Sequence, residues 1–141
     1  AEMAFSKTNV PVKNKPEYWE FIRQLRNDDI MRANSLNSHI IEPEEHHAYM
    51  SLHNDKYYIC LDEDVPVGYV ARNAQDYISV AVISQARGKG IGKYMLQYFG
   101  DLMRTQKLRA IVSLTNPASL KLFESCGFVK KYYVFERDQN D

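Results

Sequence analysis

Arg87, Gly88, Lys89, Gly90, Ile91, Gly92 and Lys93 stand together directly after the aliphatic run Val80, Ala81, Val82 and Ile83. These residue types suit the binding of a bulky anion. The first turn of a helix leaves backbone N–H groups without intrahelical partners, and its dipole end is positive. Glycine lets an anion approach that backbone, and Arg87 and Lys93 add charge on either side. The pattern reads as a diphosphate cradle, formed where a strand turns into a helix.

Spacing separates the known kinds of glycine-rich cradle. A P-loop needs Gly-x-x-x-x-Gly-Lys-Ser/Thr, but Tyr94 follows Lys93 and Arg87 stands where the first glycine is required. A dinucleotide fingerprint needs Gly-x-Gly-x-x-Gly, and counting from Gly88 ends on Lys93. What is left is Arg-x-x-Gly-x-Gly at Arg87, Gly90 and Gly92. This resembles the acyl-CoA diphosphate loop of the GCN5-related N-acetyltransferases, the GNAT family. A second segment of that family, Asn-x-x-Ser/Ala-x-x-x-Tyr/Phe-x-x-x-Gly-Phe, is matched by Asn116, Ser119, Phe123, Gly127 and Phe128. The resemblance runs from about residue 3 to 138.

The chain reads as a single domain over residues 1–141. Met3 to Val10 predicts a short strand closed by Pro11, and Glu17 to Asn27 a helix opened by Pro16. Helical pieces follow at Asp28 to Asn34 and Glu44 to His53, the latter opened by Pro43. The period then shortens to two, giving strands at Lys56 to Asp62, Val65 to Arg72 and Tyr77 to Ile83. Ile78, Val80 and Val82 share one side of the last of these, Ser79 and Ala81 the other. A helix over Lys89 to Gln106, a strand over Arg109 to Leu114, a helix from Asn116 to Gly127 and a strand over Phe128 to Arg137 complete the chain. The order β-α-α-β-β-β-α-β-α-β is that of the resembled family, an α/β (α+β) fold with a mixed, mostly antiparallel sheet flanked by helices.

Eighteen basic and eighteen acidic residues cancel, which argues against a polyanionic partner such as nucleic acid or a membrane surface. No apolar run approaches the roughly 20 residues of a membrane span. Cys60 and Cys126 are far apart and read as buried free thiols, in keeping with a cytoplasmic location. His39, His46, His47 and His53 lack zinc-site spacing, so no metal is expected, and they read as surface or rim residues. Trp19 reads as a core anchor.

The resemblance implies acetyl-CoA as cosubstrate and transfer of its acetyl group to an amine. It assigns cofactor binding to Val80, Ala81, Val82, Arg87, Gly88, Lys89, Gly90, Ile91, Gly92, Lys93, Asn116, Ser119 and Phe123. It also implies that the strand at Tyr77 to Ile83 and the strand at Arg109 to Leu114 splay at the cradle. Backbone groups of Val80 to Val82 then lack sheet partners and pair with the cofactor's pantetheine arm. Asn116 also reads as the N-cap of its helix.

Acyl transfer to an alkylammonium needs a base, and a proton donor helps the thiolate leave. The family's frequent tyrosine acid falls at Phe123, and a glutamate of the central strand falls at Ser79. Ser79, Tyr77 and Ser113 are the catalytic candidates, with His46 or Glu45 as groups reaching in from the second helix. The acceptor is expected at the first helices, with Arg26, Asn27 and His46 as binding candidates. The Leu25, Arg26, Asn27, Asp28 opening and the Glu44, Glu45, His46 helix resemble nucleotide-aminosugar N-acetyltransferases. Two readings stand beside that one. A polyamine or protein N-terminal acetyltransferase would draw on Glu42, Glu44 and Glu45, whereas an acyl-CoA-binding module without chemistry would explain Phe123 and Ser79. A homodimer is left open.

Overall fold

The computed structural model describes residues 9–35 and 39–138. Four strands form one antiparallel sheet in the order β1 (Asn9–Lys13), β2 (Tyr57–Asp62), β3 (Val65–Arg72) and β4 (Ile78–Val82). The hairpin between β2 and β3 turns on Glu63 and Asp64, both at positive φ (50° and 68°), the geometry that follows the twist of the flanking strands. Between β3 and β4, the Asn73 side chain accepts the N–H groups of Gln75 and Tyr77 and holds the turn.

The first strand departs from expectation. It runs through Pro11 instead of stopping there, while residues 3–8 lie outside the described range. β1 has a neighbour on one side only, so a residue without an N–H is tolerated on the open side.

The helices are α1 (Trp19–Arg26), which continues a 3-10 turn at Pro16–Tyr18, α2 (Asp29–Ala33), α3 (Pro43–His53), α4 (Ile91–Leu102) and α5 (Pro117–Ser125). Local chemistry sets their starts. Asp28 caps α2 by accepting from Ile30 N and Met31 N, Pro43 and Pro117 take first-turn positions, and Asn116 caps α5 by accepting from Ser119 N.

The sheet separates two apolar clusters. On one face Ile22, Leu25 and Met50 of α1 and α3 meet Tyr57, Ile59, Tyr69 and Ala81. On the other, Met95, Leu96 and Phe99 of α4 and Phe123 of α5 meet Cys60, Val70 and Ile78, with Val80 and Val82 beside them. The two-residue alternation read for β4 is therefore observed, and it aims Ala81 at the first face.

The fold class, an antiparallel sheet flanked by helices, is that expected, but two strands of the expected order do not form. Arg109–Leu114 reaches the sheet through one parallel bridge, Tyr77 to Arg109, in which Ile78 N donates to Arg109 O (2.7 Å) and Arg109 N to Asp76 O (3.0 Å). Phe128–Arg137 carries no regular structure, and Tyr132, Tyr133 and Phe135 are exposed. β-branched and aromatic residues favour a strand by fitting a half-buried pleated surface. Neither segment is given one here.

Candidate functional site

β4 delivers the chain to the glycine segment. Its last rung, Ile83 N to Val67 O (2.9 Å), is followed by a 3-10 turn at Ser84–Ala86, whose Ala86 is buried under α4. Gly88 and Gly90 then take φ of +80° and +82°, a left-handed backbone open to glycine at little cost. Gly90 is the N-cap of α4 and has no side chain to fill that end, so the first-turn N–H groups of Ile91, Gly92 and Lys93 lack intrahelical partners. Gly92 differs from both: its φ is not left-handed, and a Cβ there would make ordinary contacts with Leu122 Cδ2 (3.4 Å) and Val80 Cγ1 (3.7 Å), so neither backbone nor packing demands a glycine.

Among the described residues, backbone hydrogen bonds reach the side of β4 away from β3 only at its start. Ile78 N donates outward to Arg109 and Ile83 N donates inward to Val67, so alternation along the strand points the main-chain groups of Val80 and Val82 outward. Arg87 Nε donates to Val82 O (3.0 Å). Ala81, expected to offer its backbone as well, instead faces Tyr69 in the ladder. A second glycine, Gly68, stands opposite Val82, and a Cβ on it would meet Ala81 O at 2.6 Å. No motif pointed to it; only the pairing of β3 with β4 does.

Two of the catalytic candidates are two residues apart: Ser79 is exposed on the α1 and α3 side of β4, and Tyr77, just before the strand, bridges to Arg109. Ser113 Oγ sits 2.7 Å from Thr115 Oγ1, which donates to Asn34 Oδ1 (2.9 Å) and ties this turn to the end of α2. Phe123 is buried edge-on against Phe128, ring centroids 5.1 Å apart.

Much of the expected acceptor chemistry is spent on structure. Asn27 donates to Ile41 O (2.9 Å) and accepts from Ile41 N (2.8 Å), clamping the loop before α3. Arg26 lies over the Tyr49 ring at 5.5 Å. His46 is buried, not at the rim: its Nε2 meets Trp19 O at 2.8 Å between α3 and α1, and its Nδ1 has no partner. Burial holds His46 below the usual histidine range. Trp19 in turn donates to Asn54 Oδ1 (2.8 Å). Burial pushes the Cys60 thiol up to about 11 and the Tyr69 hydroxyl up to about 12, so neither ionises near neutrality. Cys126 is only half-buried, less than expected. Glu42, Glu44 and Glu45 are exposed at the start of α3, where Glu45 pairs with His39 (2.9 Å).

A cleft of about 180 Å³ opens between α1 and the end of β4, lined by Phe21, Gln24, Leu25 and Asp28 on one side and Ile83, Ser84 and Gln85 on the other. Phe21, Gln24 and Leu25 lie on α1 and Asp28 just past its end, yet nothing local to either segment joins them to residues far along the chain. Asp28 Oδ2 lies 3.6 Å from Arg87 Nη2, so the cleft adjoins the glycine turn. Among the described residues no three His, Cys, Asp or Glu side chains gather as a metal site, and no helix is long and apolar enough to cross a membrane.

The chain is an α+β domain in which a strand with an open edge runs through a glycine turn into a helix start. Residues 19–128 match the sequence model of the Acetyltransferase (GNAT) family, and the chain belongs to that family. Spermidine N(1)-acetyltransferase of Vibrio cholerae serotype O1 (strain ATCC 39315 / El Tor Inaba N16961) is 29% identical over 82 residues, 55% of this chain and 46% of the relative. The chain thus spans about half the length of that curated relative. Among solved structures, spermidine N-acetyltransferase from Vibrio cholerae in complex with CoA and spermine superposes with a TM-score of 0.78, covering 96% of this chain and 89% of that one at 16% identity. Ribosomal-protein-alanine N-acetyltransferase from Brucella melitensis gives 0.71, covering 84% and 83% at 24% identity. At these identities the structural likeness establishes the fold.

Proposed function

We propose that this chain is an acetyl-CoA-dependent N-acetyltransferase that acylates a primary amine of a small molecule. The observation that carries the reading is the glycine-turned start of α4 beside the open edge of β4. Gly88 and Gly90 leave the backbone bare where first-turn N–H groups and Lys93 can hold a diphosphate. Val80 and the N–H of Val82 offer main-chain groups to an amide-bearing arm, as an added strand would take them. Acetyl-CoA, when bound, supplies an activated acyl group; the chain supplies position. The outward N–H groups of β4 are donors for a carbonyl oxygen that gains charge as the amine attacks. Holding amine and acyl group in line is the largest contribution asked of the protein.

The proton is a separate matter. Phe123 has no proton to give and is packed in the core, so a hydroxyl at that position does not assist the leaving thiolate. Ser79 is the candidate with an exposed hydroxyl on β4, and a water held there serves as the relay to solvent. The free cysteines go with a reducing compartment, and this reading places the chain in the cytoplasm.

For the acceptor, the spermidine-acetylating relative and the neighbour solved with spermine favour a polyamine over the amino-sugar nucleotide. Incubation with acetyl-CoA and a panel of polyamines, amino-sugar nucleotides and N-terminal peptides, with free thiol followed, should give release that depends on polyamine. Release with amino-sugar nucleotides alone would reverse the acceptor assignment. CoA binding without release for any amine would leave the binding module.

A further inference from the structure

Arg87 stands between two sites. Its Nε is anchored on Val82 O (3.0 Å) at the open edge of β4, which fixes where the guanidinium lies. Its Nη2 faces Asp28 Oδ2 across 3.6 Å, and both side chains are about one-third exposed. Arg87 is also the first residue of the glycine segment that turns into α4. A guanidinium carries five donors in a fixed fork, so with Nε committed the terminal nitrogens remain to be shared among nearby anions.

Asp28 is the carboxylate among the residues lining the cleft, beside the apolar Phe21, Leu25 and Ile83 and the neutral polar Gln24, Ser84 and Gln85. One of its oxygens, Oδ2, accepts from Ile30 N (3.1 Å) and Met31 N (3.3 Å) and meets Arg87. The other, Oδ1, has no part in these three contacts. One carboxylate in a cleft whose other lining residues are apolar or uncharged suits an alkyl chain that ends in an ammonium group.

We propose that Asp28 anchors a second, non-reacting ammonium group of the acceptor, and that it shares Arg87 with the diphosphate held by the glycine turn. A diphosphate brings more negative charge to the guanidinium than one carboxylate does. Cofactor binding therefore draws Arg87 from Asp28, and the freed carboxylate takes the amine. By linkage, each ligand strengthens the other's binding. This deepens the acetyltransferase reading and rests on it: the acceptor is a diamine or polyamine, and its binding is coupled to that of the cofactor.

Asp28→Asn tests both halves, because asparagine is as good an N-cap as aspartate and α2 keeps its start. The variant, checked for unchanged circular dichroism, should bind CoA about two- to five-fold more tightly, since a competitor for Arg87 is gone. That gain should shrink as salt rises. In steady-state assays its KM for 1,4-diaminobutane should rise about ten-fold, the loss of one charge-assisted contact. Its KM for butylamine and its kcat should stay near wild type, and Asp28→Glu should restore part of the diamine preference. Unchanged CoA affinity, or equal losses for diamine and monoamine, overturns the proposal. A wild-type chain that does not bind CoA at all sinks the acetyltransferase reading and takes this proposal with it, whereas wild-type turnover indifferent to the second ammonium sinks the proposal alone.

Discussion

On the α4 face of the sheet, the polar groups that could hold a ligand belong to the backbone: the turned Gly88 and Gly90, the first turn of α4 and the outer edge of Val80 and Val82. On the α1 and α3 face they belong to side chains, and these are largely committed. Asn27 clamps Ile41, His46 ties α3 to Trp19, and Asn54 links Trp19 to Asn14 O. A backbone site is written by glycines whose spacing survives any packing around them. A side-chain site shares its vocabulary with the contacts that hold helices together, and the chain alone does not say which use prevails.

The difference breaks hardest at the glycine turn. Gly90→Glu places a carboxylate at the start of α4 and forces a side chain into a left-handed backbone at a cost of about 1 kcal/mol. A titration should show CoA affinity reduced beyond detection while circular dichroism still reports a folded domain. Folded protein with wild-type affinity would remove the α4 face from the binding account. The next effect comes from inside the sheet. Gly68→Ala pushes a methyl to 2.6 Å from Ala81 O, a backbone atom that cannot turn aside, so β3 and β4 must move apart where Val82 sits. Overpacking of this kind costs about 1–3 kcal/mol. The expected outcome is a lower thermal midpoint together with a weaker CoA complex; a wild-type complex would mean that β4's edge plays no part in binding.

The contrast also explains what the sequence made legible. The helices at Glu17–Asn27, Glu44–His53 and Asn116–Gly127 and the three-strand meander are found nearly where periodicity and caps put them. Of the cradle's two left-handed glycines, Gly90 belongs to the Arg87, Gly90, Gly92 pattern and Gly88 does not. Arg109–Leu114 and Phe128–Arg137 were read as strands from β-branched and aromatic content, but a strand exists only where a neighbour pairs with it, and one bridge at Arg109 does not make a ladder. His46 and Asn27 looked like acceptor contacts because their chemistry is general; packing decided otherwise. Asp28 was visible as the start of a helical piece, whereas its approach to Arg87 depends on the crossing of α1 over β4.

The committed face gives a smaller effect with a pH signature. His46 sits neutral in its buried place, with its folded value depressed below the 6.5 of an unfolded chain. As pH falls through 6.5, the unfolded state gains a proton that the folded state refuses, so stability drops until the pH passes below the folded value. Above 6.5 this penalty is absent. His46→Leu should lose about 0.5–1.5 kcal/mol at pH near 7.5 by removing the hydrogen bond to Trp19 O that ties α3 to α1. It should also flatten the decline between that pH and about 5.5, as read from denaturant unfolding at each pH. A decline as steep as wild type would show that His46 does not cause it.

The smallest effect falls where the two uses of a side chain overlap. Asn116 caps α5 through Oδ1, which accepts from Ser119 N (3.2 Å), while its Nδ2 donates to Ser119 Oγ (3.0 Å). Family resemblance adds a contact with the cofactor's arm. Asn116→Ala removes both and should cost about 1 kcal/mol of stability, the worth of a cap. Asn116→Asp keeps an oxygen for the helix start and loses the amide donor. If Asn116 is a cap alone, the aspartate variant should match wild type in unfolding free energy and in KM for acetyl-CoA. If it also holds the cofactor, stability should stay within about 0.5 kcal/mol of wild type, since aspartate caps as well as asparagine does. KM for acetyl-CoA should then rise several-fold, because a carboxylate repels the phosphates and cannot donate. The pair of variants thus separates the structural and ligand-binding uses of one residue, a separation that Asn27 and His46 do not permit, since their hydrogen bonds serve packing from the outset.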